Sequence, residues 1–235
     1  MSIFQTLSVT CPNCRKSLAF DTVHSVSADR RPDLRTAIMR GEFQRKTCPA
    51  CGAGFRLDPA FIYSDIGRGQ WVAAQPVTAI DEWAAREAQS RELFDSGYGP
   101  SAPAAVREQG SKLRRRLVFG WSALREKLIA AEAGIDDTVL ELLKMAMLRN
   151  LKSTPFSPDT TLRLLDFEPK RLLMGWVRNP DDAIGDLRWV DRELYDDIVA
   201  DLAKGDAGVW SGVHAEFKDA LFVDLDRLMV HAEPA

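Results

Sequence analysis

The spacing of apolar residues predicts a β unit in the first 80 residues. Apolar positions among polar ones run through 17–27, which is the pattern of a half-buried strand. Two further apolar runs, at 61–63 and 70–72, flank a glycine-rich turn at 66–69 and predict a β-hairpin. Residues 32–40 predict a short helix, because a proline opens the segment and a glycine follows it.

The middle of the chain predicts an exposed helix followed by a linker. Residues from Asp81 to about Phe94 are rich in Ala, Glu and Arg and contain few large apolar residues, which is typical of a mostly exposed helix. Gly, Pro and Ala are then frequent across 96–111, and such a composition interrupts regular structure. We therefore expect an N-terminal unit at 1–95, a linker at 96–111 and a C-terminal region at 112–235.

The C-terminal region alternates between helical and strand-like patterns. Apolar residues at helical spacing predict helices at 122–133, 138–150 and 191–204, and a change of period predicts a hairpin over 161–177. Residues 114–119 fit either a strand or the start of a helix. Helices packed on a small antiparallel sheet place the chain in the α+β class.

All four cysteines of the chain lie in two copies of one tetrapeptide, Cys11-Pro12-Asn13-Cys14 and Cys48-Pro49-Ala50-Cys51. A two-residue spacer lets both thiolates of a pair reach one ion, and two pairs complete a tetrahedral shell. Cys11, Cys14, Cys48 and Cys51 therefore predict one structural Zn²⁺ per chain, with no coordination position open to water or substrate. The 33 residues between the pairs must contain folded structure. The pattern thus predicts a zinc-ribbon-like antiparallel β unit with a helical insertion.

Other chemistries also use C-x-x-C pairs. A thioredoxin-like redox pair stands at the start of a helix, and neither tetrapeptide here is followed by a clear amphipathic helix. Disulfides need an oxidising compartment, which nothing in the N-terminal sequence indicates. Iron is another metal that four thiolates bind. Zinc is the favoured interpretation, and these three are its alternatives.

The cysteine pairs and their surroundings resemble the CpXC domain of bacterial proteins. The resemblance rests on the two C-P-x-C pairs, on the helix between them that ends in Arg40-Gly41-Glu42-Phe43, on the following hairpin, and on the segment Leu124-Arg125-Glu126-Lys127. It covers residues from about Leu7 to about Ala133 and leaves the rest of the chain unmatched. The resemblance implies a zinc site at the four cysteines and implies no particular activity.

Charge and composition exclude several classes of protein. The chain of 235 residues has 31 Lys and Arg against 34 Asp and Glu, and a formal charge of −3 is typical neither of a strongly basic nucleic-acid binder nor of an acidic tail protein. No apolar stretch approaches the roughly 20 residues that cross a bilayer, and the N-terminus carries no export signal. We therefore expect a cytoplasmic protein with no membrane partner.

Two groups of polar residues outside the cysteine pairs are candidates for chemistry. Arg114, Arg115 and Arg116 are candidates for phosphate contacts, although a strand would turn Arg115 away from the other two. Ser211 and His214 are a candidate nucleophile pair, but no orienting carboxylate can be assigned from the sequence. No phosphate-binding glycine loop, His-Glu-x-x-His or Gly-x-Ser-x-Gly motif is present.

Two further features have ordinary structural explanations. His24 lies between the cysteine pairs, where an additional ligand would displace a cysteine from a complete set. Glu193, Asp197 and Asp201 share one face of a predicted helix, and we expect this acidic stripe to be solvated rather than to bind a cation or a basic partner.

These patterns predict an interaction or scaffold module that is organised by a structural zinc site, with no catalytic residue assigned. We expect its partner to be another protein. The alternatives are a nucleic-acid-associated zinc-ribbon adaptor and, in the enzyme class, a thiol oxidoreductase or a hydrolase.

Overall fold

A computed structural model describes residues 2–150, 159–179, 181–205, 208 and 210–229. The chain divides into two units, which we call the first unit (residues 1–80 and 88–121) and the second unit (residues 81–87 and 122–235). Helices and sheets of both strand directions occur, so the predicted α+β class is confirmed. Among the described residues, no helix is both long enough and apolar enough to cross a membrane.

The first unit is built on a five-stranded sheet and a separate two-stranded hairpin. Its strands along the chain are β1 (Ile3–Thr10), β2 (Ser17–Ser27), β3 (Arg45–Thr47), β4 (Gly54–Arg56), β5 (Phe61–Asp65), β6 (Gln70–Gln75) and β7 (Arg114–Phe119). The sheet has the spatial order β1-β2-β5-β6-β7, and β3 pairs with β4. The β1–β2 and β5–β6 pairs are antiparallel, whereas β2–β5 and β6–β7 are parallel. The predicted strand at 17–27 and hairpin at 61–72 are confirmed, and the sheet that joins them is mixed.

Helices connect these strands, and one of them lies where the sequence predicts a linker. Helix α1 (Pro32–Met39) is the predicted insertion, and α2 (Trp83–Tyr98) is the predicted exposed helix, continued by one turn. Helix α3 (Ala104–Ser111) occupies half of 96–111, so the expectation of a linker is wrong for these residues. A Cβ atom on Gly110 would lie 2.6 Å from the Tyr98 side chain. The small residues therefore allow close packing of α3 against the end of α2 instead of loosening the chain.

An aromatic cluster of the first unit anchors the β3–β4 hairpin at both ends. The rings of Phe43, Phe61 and Trp121 lie with centroids 5.7 to 5.9 Å apart, and Phe43 comes just before β3. The Trp121 indole N–H donates to the carbonyl of Leu57, just after β4, at 2.9 Å. The Arg56 guanidinium lies 3.9 Å from the centre of the Trp121 ring. These contacts fix the base of the hairpin whose tip carries the second cysteine pair.

The second unit has a three-stranded antiparallel sheet and several helices. Its elements along the chain are α4 (Trp121–Glu132), α5 (Asp137–Arg149), β8 (Thr160–Glu168), β9 (Arg171–Arg178), β10 (Ala183–Asp191), α6 (Arg192–Ala203), α7 (Trp210–Phe217) and α8 (Asp226–Met229). The sheet order is β10-β9-β8. The three predicted helices and the predicted hairpin are confirmed. Strand β10 has no apolar alternation to reveal it, because nearly all of its residues are exposed.

Candidate metal centre

The first cysteine pair lies in the tight turn between β1 and β2. Thr10 pairs with Ser17 at the end of the ladder, and the Cys11 N–H then donates to the carbonyl of Lys16 at 2.9 Å. The Arg15 N–H closes the turn on the Cys11 carbonyl, also at 2.9 Å. Arg15 has a φ of 60°, in the left-handed region. The turn therefore holds Cys11 and Cys14 at one end of the β1–β2 ribbon.

The second pair lies in a turn of the same construction between β3 and β4. The Cys48 N–H donates to the Ala53 carbonyl at 2.8 Å, and the Gly52 N–H donates to the Cys48 carbonyl at 2.9 Å. Gly52 has a φ of 73° and occupies the position that Arg15 has in the first turn. Each turn is a knuckle in which two residues separate the cysteines and the fifth residue is left-handed. We call them the first knuckle (Cys11–Lys16) and the second knuckle (Cys48–Ala53).

The structure brings the four cysteine sulfurs together. All four Sγ atoms lie within 4.8 Å of one another. The Cys11 and Cys51 sulfurs are 3.8 Å apart, and those of Cys14 and Cys48 are 3.7 Å apart. A tetrahedron with metal–sulfur bonds of about 2.3 Å has sulfur–sulfur edges of about 3.8 Å. The donor set therefore fits one tetrahedrally coordinated metal ion, and all four thiols are free of disulfide bonds.

A small apolar cluster supports this centre from one side. Cys11 and Cys48 are buried and pack with Leu18, and the half-buried side chains of Val9 and Phe55 complete the cluster. Cys14 is half-buried and Cys51 is exposed. The centre is thus shielded on the side of the strands and reaches the surface at the second knuckle.

Hydrogen bonds favour the thiolate form at two of the four cysteines before a metal binds. The Asn13 side-chain amide donates to the Cys51 sulfur at 3.5 Å and, with the backbone N–H of Ala53, lowers the pKa of Cys51 to about 6. The backbone N–H of Cys14 lowers the pKa of Cys11. At Cys14 the backbone N–H of Lys16 acts in the same direction, but burial and the neighbouring sulfurs outweigh it and raise the pKa to about 11. A metal cation would neutralise the thiolates and would therefore favour the deprotonated form at Cys14 as well.

The other candidate ligands lie apart from the cysteines. Within the part of the chain that the structure describes, the four cysteines form the one group of His, Cys, Asp or Glu residues arranged to hold an ion. His24 is exposed, and its Nε2 atom hydrogen-bonds to the Gln5 side chain. The acidic stripe on α6 is exposed along its length, and its last member, Asp201, pairs with Lys204.

The structure does not assemble the candidate nucleophile pair or a flat arginine site. Ser211 donates its hydroxyl proton to the carbonyl of Gly208 at 2.9 Å, rather than to His214. On β7, the Arg115 guanidinium lies 5.1 Å from the centre of the Phe94 ring. Arg116 donates through Nη1 to the Arg115 carbonyl at 2.8 Å. Because β7 is a strand, its arginines alternate between the two faces of the sheet.

The second unit contains a buried ion network that the sequence does not reveal. Lys144 donates to Glu126 at 2.8 Å and to Glu141 at 2.9 Å, and all three side chains are almost completely buried. Arg163 bonds to Glu126 and to Asp224 in the same interior. Charged residues on a helix are normally solvated. The sequence around Lys144 and Glu126 therefore gives no sign that these side chains are buried. The paired charges make this network part of the core.

Comparison with known proteins places the chain in a family. A family model described as CpXC protein matches residues 9–144, so the match includes both knuckles and extends into α5, beyond the limit near Ala133 that the motifs suggest. Neither the curated proteins nor the solved structures contain a significant match. A family model that covers more than half of the chain is decisive, and this protein belongs to the CpXC family.

Proposed function

We propose that this protein is an interaction module whose binding surface is ordered by one structural Zn²⁺ at Cys11, Cys14, Cys48 and Cys51. The observation that carries the proposal is the closed donor set, in which four sulfurs lie within 4.8 Å of one another. Zinc favours tetrahedral shells of four thiolates and has no redox chemistry of its own. Four protein ligands leave no position for water or substrate, so such an ion supports structure rather than hydrolysis.

The knuckles themselves support a role in binding. Pro12, Asn13, Pro49 and Ala50 are exposed at the tips of the two turns, while the cysteine that opens each knuckle is buried. A metal ion at this place would hold both tips in one fixed arrangement, and preorganised surfaces bind at lower entropic cost. Four free thiols also favour a reducing compartment such as the cytoplasm.

The test is the metal content and ligation of the purified chain. We expect one zinc per chain by elemental analysis and, after exchange for Co²⁺, the absorption spectrum of a tetrahedral thiolate site. Iron in place of zinc would contradict the assignment of the metal. A metal-free protein whose cysteines titrate reversibly as dithiol pairs would refute the proposal and support the thiol oxidoreductase alternative.

A further inference from the structure

Charge is distributed unevenly between the two units. The first unit contains 16 Lys and Arg against 9 Asp and Glu, whereas the second contains 15 against 25. The formal charge of −3 therefore combines +7 in the first unit with −10 in the second. Charges are screened over about 8 Å at physiological salt. A ligand within this distance of basic side chains responds mainly to them, so the net charge of −3 does not by itself argue against an anionic partner.

The β3–β4 hairpin beside the metal centre is strongly basic. Three of the residues in its two strands are Arg45, Lys46 and Arg56, and neither strand contains an acidic residue. Arg45 lies directly opposite Arg56 in the ladder, and like charges in such a pair destabilise a sheet. The Arg45 Nε donates to the Gly41 carbonyl at 2.5 Å, which satisfies one donor without neutralising the charge.

The first knuckle adds two more positive charges at the same end of the unit. Arg15 and Lys16 are exposed where β2 begins. The Lys46 ammonium bonds to the carbonyl of Ala19 and lies 5.4 Å from the centre of the Phe20 ring, which ties β3 to the start of β2. Ala19 follows Lys16 by about 10 Å along the strand. Neighbouring residues of a strand alternate between its two faces, so Arg45 lies on the other face of β3 from Lys46. We call Arg15, Lys16 and Lys46 the basic edge.

The basic edge has no counterion among the residues that the structure describes. None of its three side chains lies within ion-pair distance of a described carboxylate, although other basic residues of the first unit do. Phe20, the aromatic ring that Lys46 contacts, is buried and offers no exposed face on which a base could stack. The edge therefore suits the phosphates of a polyanion and offers little for reading bases.

We propose that the basic edge binds the phosphate backbone of a nucleic acid with little sequence preference. This inference rests on the proposed function, because the metal centre is what fixes the first knuckle relative to the β3–β4 hairpin. It differs from the expectation of a protein partner, which rested on the overall charge of −3 and on the alternation of Arg114, Arg115 and Arg116 along a strand. The competing partner is an acidic protein surface, such as the second unit of another copy of this chain.

Fluorescence anisotropy of labelled oligonucleotides, titrated with the full zinc-loaded chain between 50 and 200 mM salt, tests the proposal. Each phosphate neutralised on a duplex contributes about 0.9 to the salt slope. We therefore expect the logarithm of affinity to fall by about 2 to 3 for each logarithmic unit of salt. Scrambled sequences should bind with similar affinity.

A pair of matched double variants locates the binding surface. Arg15→Asn combined with Lys16→Gln should weaken binding about tenfold at low salt and reduce the salt slope by roughly 2. Asparagine is chosen because it tolerates the left-handed conformation of residue 15. Arg107→Gln combined with Lys112→Gln removes the same charge from exposed positions on and just after α3 and should leave binding nearly unchanged.

Three results would overturn the inference: no salt-sensitive binding, equal losses in both double variants, or salt-sensitive self-association in sedimentation experiments without nucleic-acid binding. The last result would identify the acidic second unit as the partner. Zinc content is measured on the same samples. A normal zinc content without nucleic-acid binding overturns only this inference, whereas a metal-free chain overturns the proposed function.

Discussion

Replacing Cys48 with serine should disorder both knuckles while the second unit keeps its structure. Cys48 is buried, and its sulfur lies 3.7 Å from that of Cys14. Serine preserves the size of the side chain but is a poor zinc ligand. With only three thiolates left, the metal centre loses its closed shell, and the two knuckles lose the ion that joins them.

The expected magnitude follows from how little else holds the knuckles. Apart from cysteine, their apolar cluster has the buried Leu18 and the half-buried Val9 and Phe55, whose burial contributes roughly 3–6 kcal/mol in total. The four backbone hydrogen bonds of the knuckles add about 4 kcal/mol. Ordering the two knuckles, which together have 12 residues, costs roughly 12–24 kcal/mol. Zinc binding, on the order of 10 kcal/mol or more, is the contribution that closes this difference.

Hydrogen–deuterium exchange on the full chain checks the prediction. In the Cys48→Ser variant, the amides that close the turns, at Cys11, Arg15 and Gly52, should exchange near the rate of an unstructured peptide, and bound zinc should be lost. Ala50→Ser is the matched control, because it adds a hydroxyl to an exposed position of the same knuckle and removes no ligand. Unchanged protection at these amides in the Cys48→Ser variant would show that metal does not order the knuckles.

Three further predictions concern the cores of the two units. Lys144→Met removes the buried cation between two buried carboxylates and should lower the free energy of unfolding by about 3–5 kcal/mol in urea titrations, whereas the same change at the exposed Lys170 should cost less than about 0.5 kcal/mol. Burial, with a contribution from the neighbouring carboxylate of Asp224, raises the pKa of Asp226 to about 7, so the stability that Asp226 contributes is lost as the pH rises from about 4 to about 7. Asp226→Asn cannot ionise, and its stability relative to wild type should therefore increase between pH 5 and pH 8; a constant difference would contradict the assignment. Gly120→Ala should lower the stability of the first unit by at least about 1–2 kcal/mol, because residue 120 has a φ of 87° and a Cβ atom there would lie 2.6 Å from Val77; an unchanged melting temperature would refute this.

The sequence alone determined the donor set and several local elements. Sulfur ligands are recognisable by residue type, and placing all four cysteines in two C-P-x-C tetrapeptides leaves few other chemical explanations. The strand at 17–27 and the helix that begins at Pro32 were equally accessible, because periodicity, proline and glycine act within a few residues. Strand β1 and strand β10 lack that signal, since most of their residues are exposed on both faces.

Only the tertiary structure decided which distant residues meet. It places the Cys11 sulfur beside that of Cys51 and the Cys14 sulfur beside that of Cys48, across the two knuckles. It turns Lys144, which resembles a solvated helix residue, into a buried counterion. Each of these features depends on contacts between segments far apart in the chain, and local patterns of apolar and polar residues carry no information about such contacts.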